Sequence, residues 1–158
     1  MQKEDIRYMD LAIKEARKNL GAMHGGPFGA CIVKGRRVLA VARNTVLRND
    51  ATCHAEMNAI RIASRKIGSF DLSGCVIYST TEPCPMCFSA IHWARIDAVV
   101  YGTTIKDAQR IGFNELRITG AVLKALGKSR VRLIRSRLIG ECRKLFRDWS
   151  VLPEKKLY

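Results

Sequence analysis

Two short motifs constrain the fold more than any other feature of the sequence: His-Ala-Glu at residues 54–56 and Pro-Cys-Pro-Met-Cys at residues 83–87. Two cysteines separated by two residues at the start of a helix can direct both thiolates toward one metal ion. His54 can complete a set of three ligands with Cys84 and Cys87 if the fold brings the two segments together. Three protein ligands leave one tetrahedral position of a zinc ion open, which is typical of catalytic zinc sites.

Glu56 follows His54 by two residues, so it can exchange protons with a water at the open position without binding the metal itself. The alternative is a carboxylate in the first turn of a helix that complements the helix dipole. Cys53 stands next to a predicted ligand. We leave it out of the metal site because a fourth protein ligand would displace the water.

Apolar periodicity and turn signals predict alternating helices and strands. An amphipathic helix over residues 4–20 precedes a hairpin of strands 28–33 and 38–42, and Thr52 is the predicted N-cap of a helix over residues 54–67. Further strands are predicted at 75–80, 98–102 and 131–138, and further helices at 86–95, 106–110, 121–126 and 141–149. Strands on either side of a single helix are usually parallel neighbours. The sequence therefore predicts one α/β domain over residues 1–158, a three-layer α/β/α sandwich with a mixed central sheet.

The net charge of +14 is concentrated in residues 128–147, which contain eight lysines and arginines against Glu141 as the one acidic residue. Such a basic stretch attracts phosphates and makes RNA a candidate partner, although a solvated basic face is an equal alternative. The sequence shows no apolar segment long enough for a membrane span and no secretory signal. Six cysteines in such a chain favour a reducing, cytoplasmic location, where thiols are free to bind metal.

The two motifs, together with Ile-His-Trp-Ala-Arg at residues 91–95, resemble the cytidine deaminase superfamily. The closest resemblance is to the branch that holds bacterial guanine deaminases and transfer-RNA adenosine deaminases. It implies a cytidine-deaminase-like fold and hydrolytic deamination, with one Zn²⁺ per subunit bound by His54, Cys84 and Cys87. Glu56 would serve as both proton acceptor and proton donor.

The resemblance also implies residues that bind the substrate. Asn44 corresponds to an amide that hydrogen-bonds the base, and Phe28 and Trp93 correspond to aromatic residues that pack on the planar ring. Ala55 lies between the predicted ligand and the predicted proton carrier, and Glu115 stands where the guanine deaminases carry an Asp. From the residues alone, a turn residue is the alternative for Asn44, and Phe28 and Trp93 could equally belong to the core.

The end of the sequence distinguishes between the branches. Phe-Arg-Asp-Trp at residues 146–149 and Lys-Lys-Leu-Tyr at residues 155–158 resemble the ending of the bacterial guanine deaminases. The resemblance implies a homodimer in which a helix and tail of residues 139–158 swap between subunits and Tyr158 closes the partner's active site. The expected substrate is then a small purine base or nucleoside, with guanine converted to xanthine and ammonia. A transfer-RNA adenosine deaminase and a non-catalytic, zinc-stabilised scaffold are the alternatives.

Overall fold

The computed structural model describes residues 3–158, with side chains from residue 6 onward, so the first two residues of the predicted domain lie outside the described range. The helices are α1 (Lys3–Arg17), α2 (Asn19–Ala22), α3 (Ala55–Ile67), α4 (Pro85–Trp93), α5 (Ile105–Arg110), α6 (Gly120–Leu126) and α7 (Ile139–Ser150). The strands are β1 (Gly29–Lys34), β2 (Arg37–Arg43), β3 (Cys75–Thr81), β4 (Ala98–Thr103) and β5 (Arg132–Arg135).

The five strands form one mixed sheet in the order β2-β1-β3-β4-β5. A two-residue turn at Arg36 and Gly35, where Gly35 has a φ of 56°, joins β1 to the antiparallel β2. β1 also runs antiparallel to β3, whereas β3, β4 and β5 are mutually parallel neighbours. Because parallel strands end at the same edge of a sheet, the loops that follow β3 and β4 lie side by side. The mixed sheet predicted from the sequence is confirmed.

Helices cover both faces of the sheet and divide the core in two. On one face, α3 and α4 pack Ala59 and Ile91 against Ile77 and Val99. On the other face, Met9 of α1 and Leu145 of α7 belong to a second buried cluster that includes alternate strand residues. This alternation follows from the two-residue period of a strand, which sends successive side chains to opposite faces. The result is the three-layer α/β/α sandwich.

The structure differs from the predicted elements in three places. The first helix is interrupted at Lys18, and the short α2 then ends at Ala22, followed by Met23 as a C-cap in a left-handed conformation with φ of 53°. The side chain of Asn19, at the start of α2, is buried and donates hydrogen bonds to two backbone carbonyls, which explains the interruption. The N-cap of α3 is His54 rather than Thr52. The strand predicted over residues 131–138 is confined to β5.

None of the helices found between residues 3 and 158 combines the length and the apolar character that crossing a membrane requires.

Candidate active site

The predicted metal ligands lie at the starts of two helices. His54 is the N-cap of α3 and Cys84 is the N-cap of α4, and both have extended backbone conformations, with ψ of 158° and 168°. Neither side chain caps its own helix, so the imidazole and the thiol remain available to a ligand. Pro85 is the first residue of α4, a position that needs no backbone N–H and that suits the fixed φ of proline. One turn of helix then brings Cys87 beside Cys84.

The three side chains have the spacing of a zinc site. Nδ1 of His54 lies 3.5 Å from Sγ of Cys84 and 3.6 Å from Sγ of Cys87. Tetrahedral zinc with one nitrogen and one sulfur ligand at normal bond lengths separates those atoms by roughly 3.6 Å. The candidate ligand atoms all lie within 4.8 Å of one another. Two thiols and one imidazole are also the ligand types that zinc prefers, so the residues fit the ion that the sequence predicts.

The electrostatics of the cluster favour a thiolate. A hydrogen bond from Cys87 lowers the pKa of the Cys84 thiol to about 4, against the opposing effect of burial. The pKa of Cys87, which donates that bond and is buried, is raised well above its usual value. Burial alone would lower the pKa of His54, but the hydrogen bond and charge of Cys84 outweigh burial and raise it. Cys84 therefore carries the negative charge that attracts a cation.

Glu56 lies directly beside this cluster. It is in the first turn of α3, only 6% of its surface is exposed, and it lines the same cavity as His54 and Cys84. Its Oε1 accepts a hydrogen bond from Ser79 at 2.9 Å, and its Oε2 lies 3.5 Å from Sγ of Cys87, which can donate its one proton here when it does not donate to Cys84. Burial raises the pKa of this carboxyl group. A carboxyl group with a raised pKa next to metal ligands is suited to accept and return protons.

The cavity in front of these residues has a volume of about 270 Å³. Pockets for drug-sized ligands measure roughly 300–1,000 Å³, so this cavity suits a smaller ligand such as a single ring system. Three aromatic residues line it, Phe28, Phe113 and Tyr158, and the ring centroids of Phe28 and Phe113 are 4.8 Å apart in an edge-to-face arrangement. Aromatic walls of this kind provide apolar area with little loss of conformational entropy.

Asn44 presents one end of its amide to the cavity. Its Oδ1 accepts hydrogen bonds from the Tyr158 hydroxyl at 2.7 Å and from the Val46 N–H at 3.0 Å. Both bonds hold Oδ1 away from a ligand, whereas Nδ2 has no hydrogen-bond partner among the described residues. Since Asn44 lines the cavity, Nδ2 is positioned to donate to an acceptor on a bound ring.

Tyr158 closes one side of the cavity of its own chain. Besides donating to Asn44, its hydroxyl accepts a hydrogen bond from the Gly26 N–H at 2.8 Å, and its ring packs edge-to-face on Phe113 at 5.4 Å. Burial raises the pKa of Tyr158 above its usual range, so the hydroxyl stays protonated. The tail thus contributes a wall of the pocket, and its exchange between subunits stays a prediction.

Glu115 also lines the cavity, on the segment between α5 and α6. Burial, with a smaller contribution from the charge of Cys84, raises the pKa of its carboxyl group to about 7. Near neutral pH this group can therefore act either as a hydrogen-bond donor or as an acceptor.

Two other predicted substrate residues lie elsewhere. Trp93 is 73% exposed and outside the cavity, so within one chain it cannot pack on a ring bound there. Helix geometry explains the difference, because Trp93 is rotated by about 200° from the buried Ile91 on α4. Ala55 is fully buried against the sheet, which leaves only its backbone for contact with a substrate.

The structure adds pocket residues that sequence reasoning missed, notably Phe113 and Glu82. Gly25 and Gly26 also belong to the site, because a Cβ atom on Gly25 would lie 2.1 Å from Asn44 Oδ1 and one on Gly26 would lie 2.5 Å from the Phe28 ring. The double glycine before Phe28 was the one available signal for this close approach.

Comparison with known proteins places the segment that carries both motifs in a zinc-binding family. The family model described as the cytidine and deoxycytidylate deaminase zinc-binding region matches residues 2–103. Guanine deaminase from Bacillus subtilis (strain 168) is 37% identical over 152 residues, which is 96% of this chain and 97% of the relative. A transfer-RNA-specific adenosine deaminase from Agrobacterium fabrum is 42% identical over 100 residues, which is 63% of this chain and 65% of the relative.

Solved structures show the same architecture. Guanine deaminase from Nitrosomonas europaea superposes with a TM-score of 0.84 at 26% identity, covering 96% of this chain and 86% of that one. The structure of the Bacillus subtilis enzyme has a lower TM-score of 0.68 at 34% identity, although it covers 100% of this chain and 99% of that one. The Bacillus subtilis enzyme is therefore more similar to this chain in sequence than the Nitrosomonas europaea enzyme, but less similar in structure.

Proposed function

Because the chain belongs to the family of zinc-dependent deaminases defined by the cytidine and deoxycytidylate deaminase zinc-binding region, we propose that it deaminates a free purine base, with guanine as the substrate. The reaction replaces the exocyclic amine of the ring by oxygen from water and releases ammonia, which converts guanine to xanthine. The observation that carries the proposal is the contact of Glu56 with the metal cluster, where Oε2 lies 3.5 Å from Sγ of Cys87 at one end of a cavity of about 270 Å³.

In this reaction, zinc bound by His54, Cys84 and Cys87 supplies a Lewis acid and a hydroxide nucleophile near neutral pH. Glu56 moves the protons. Because Ser79 donates to its Oε1, the carboxylate takes up a proton at Oε2, on the side of Cys87. Both protons come from the water that adds to the ring: Glu56 passes the first to the ring nitrogen and the second to the departing amine. One buried carboxyl group thus serves as both base and acid.

The pocket walls hold the ring in place. Nδ2 of Asn44 donates a hydrogen bond to an acceptor on the base, while Phe28 and Phe113 pack against its apolar faces and edges. Glu115 hydrogen-bonds the polar edge of the purine in the protonation state that the edge requires. Guanine presents both donors and acceptors along its edges, so this mixture of groups suits it.

We also propose a homodimer. α4 and α6 pack against each other, and both expose apolar side chains, with exposures of 73% at Trp93, 46% at Val122 and 81% at Leu126. A second copy of the chain would bury this face. Sedimentation equilibrium tests the proposal. The wild-type chain should sediment as a dimer and Trp93→Glu as a monomer. A monomeric wild-type chain would contradict the proposal.

The tail of residues 139–158 is proposed to exchange between the two subunits. The low TM-score to the Bacillus subtilis enzyme, despite full coverage, is what a segment placed on the other subunit would produce. Mixed dimers of a Glu56→Gln chain and a Tyr158→Ala chain separate the two arrangements. An exchanged tail restores one complete site per mixed dimer, whereas a tail that serves its own chain restores none.

A transfer-RNA adenosine deaminase is the second candidate, because all eight basic residues between 128 and 147 have exposed side chains and the Agrobacterium fabrum relative acts on transfer RNA. The lid formed by Tyr158 argues against it, since it would obstruct a base that is still attached to its strand. Micromolar RNA binding that weakens steeply with salt would favour this candidate.

A zinc-stabilised scaffold is the third candidate, and a zinc-loaded protein that is inert on every base would support it.

The proposal includes a cytoplasmic location, which is supported by six free thiols, two of them in the metal cluster. The deciding experiment measures ammonia release from guanine, guanosine, adenosine, cytosine and an anticodon stem-loop side by side. Guanine should give the highest kcat/KM. A preference for the stem-loop would replace the proposal by the second candidate.

A further inference from the structure

The carboxylate of Glu82, which lies at the edge of the pocket, joins the starts of two helices. Only 7% of Glu82 is exposed. Its Oε2 accepts a hydrogen bond from the N–H of Ile105 at 3.3 Å, and its Oε1 accepts one from the N–H of Gly120 at 3.0 Å. Ile105 and Gly120 are the first residues of α5 and α6. The N–H groups in the first turn of a helix have no partner within the helix, and both helix dipoles favour a negative charge there.

The backbone of Glu82 is fixed as well. Its N–H donates to the carbonyl of Thr103 at 2.8 Å, and the neighbouring Thr81 hydroxyl lies 2.8 Å from the Thr103 hydroxyl. Thr81 and Thr103 are the last residues of the parallel strands β3 and β4. Glu82 therefore has little freedom to move, and it precedes the metal ligand Cys84 by two residues.

One wall of the pocket lies between α5 and α6, the two helices whose first residues donate hydrogen bonds to Glu82. Residues 111–119 run from the end of α5 to the start of α6 and carry Phe113 and Glu115. A single carboxylate thus connects the start of the preceding helix, the start of the following helix and the strand end next to Cys84. A shift of the start of α5 or of α6 relative to the metal ligands would have to break one of these hydrogen bonds, and the wall lies between those two helices.

We propose that Glu82 is a positioning residue that sets the distance between the pocket wall at residues 113–115 and the metal ligands. The inference rests on the proposed purine deamination, because it assigns the wall a role in holding the ring. Glutamine matches Glu82 in shape, but its NH₂ group cannot accept a hydrogen bond, so Glu82→Gln leaves one of the two helix starts without its partner.

Amide hydrogen exchange of the zinc-loaded protein tests the connection without reference to a substrate. In Glu82→Gln, exchange at Ile105 or Gly120 and at residues 113–115 should become at least tenfold faster, while α4 and the zinc content stay as in the wild type. Unchanged exchange at residues 113–115 would overturn the proposal. If Glu82→Gln does not fold, Glu82→Asp provides the same comparison, because its shorter side chain keeps the charge but cannot reach both N–H groups.

A double-mutant cycle with Glu115→Gln tests the effect on catalysis. Glu82→Gln should lower kcat/KM for guanine at least tenfold in the wild type, and less than twofold when Glu115→Gln is already present. If Glu82→Gln lowered kcat/KM by the same factor with and without Glu115→Gln, Glu82 would have a general structural role and the proposal would be contradicted. If wild-type protein does not deaminate guanine, the proposed function fails, whereas the exchange measurement still decides the role of Glu82.

Thr119→Ala is the matched control. Thr119 caps α6 by accepting a hydrogen bond from Val122 N–H at 3.3 Å, and its side chain makes no hydrogen bond to Glu82. If fraying of α6 were enough to disturb the wall, this variant would lower kcat/KM as much as Glu82→Gln does. A loss of less than twofold is expected.

Discussion

The hydroxyl of Tyr158 lies 2.7 Å from Oδ1 of Asn44, although the two residues are 114 positions apart in the sequence. This contact fixes which end of the Asn44 amide faces the cavity. Oδ1 already accepts two hydrogen bonds, so the amide offers a ligand its N–H donors. The tail therefore orients a side chain of the pocket, in addition to closing it.

Tyr158→Phe should raise KM for guanine about tenfold with a smaller change in kcat. The variant keeps the ring on Phe113 but leaves the Gly26 N–H without its acceptor and removes one of the two hydrogen bonds that hold Oδ1 of Asn44. Loss of a partner for a buried polar group costs about 1–3 kcal/mol, and 1.4 kcal/mol is a factor of ten. Steady-state kinetics measure the effect. Tyr8→Phe is the control, because its hydroxyl donates to Arg36 on the other face of the sheet and KM should not change.

Gly25→Ala should abolish binding of the base while leaving the protein folded. The new methyl group would overlap Oδ1 of Asn44, and it would lie only 2.9 Å from the Asn44 carbonyl oxygen, which cannot move freely. Calorimetric titration with a purine base measures the loss. Gly21→Ala is the matched control, since nothing lies within 4 Å of a Cβ atom there. Normal binding by Gly25→Ala would show that Asn44 is not held as described.

Glu56→Gln should lower kcat by about 10²–10⁴-fold, the usual contribution of a positioned general acid and base. Glutamine keeps the hydrogen bond from Ser79 but cannot carry the proton. The zinc content, measured by atomic emission, should remain at one ion per chain. Glu141→Gln, an exposed change on α7, should leave both quantities unaltered. Wild-type activity in Glu56→Gln would show that Glu56 is not the proton acceptor and donor.

Removal of zinc by a chelator should abolish activity and lower the melting temperature, and added zinc should restore both. The ion binds the folded ligand set and not the unfolded chain, so its loss destabilises the fold. Cys84→Ser should have the same effect without a chelator. Cys53→Ser should retain the ion, because Cys53 contacts Asp50 and Arg61 and lies outside the metal cluster.

Acid should destabilise the protein partly through Glu15. Burial alone would raise the pKa of Glu15, but hydrogen bonds from Lys18 and Arg43 outweigh burial and lower it. A carboxylate with a lowered pKa contributes stability above the unfolded-state pKa of about 4.3 and loses it as the pH falls through the folded-state pKa. Urea unfolding should therefore show Glu15→Gln less stable than the wild type at pH 7, and by a smaller margin at pH 2.5. An equal margin at both pH values would contradict this assignment.

The sequence was sufficient for the metal ligands and for the sheet, because both depend on local signals. Two helix starts carry the ligands, and apolar runs with turn residues mark the strands. The break between α1 and α2 could not be predicted in this way. Apolar periodicity continues to Leu20, but the Asn19 side chain bonds the carbonyls of Gly26 and Asn44, and this tertiary contact overrides the local pattern.

The pocket was harder to predict than the metal site for the same reason. Phe113 follows a glycine in an irregular segment, and no periodic signal places its ring against Phe28. The assignment of Trp93 to the ring followed the resemblance to relatives and disregarded the helical phase, which turns this side chain away from Cys87. Residues on loops and tails meet only through the complete fold, so their contacts become visible only in three dimensions.

The order of the site residues along the chain has a consequence for biosynthesis. His54, Glu56, Cys84 and Cys87 all precede residue 88, whereas Glu115 and Tyr158 of the pocket walls follow it. A chain made from its N-terminus thus has its complete metal-binding set before the ribosome has added the residues that complete the cavity. Metal loading can precede pocket closure, because Tyr158, which closes one side of the cavity, is added after all of the metal ligands.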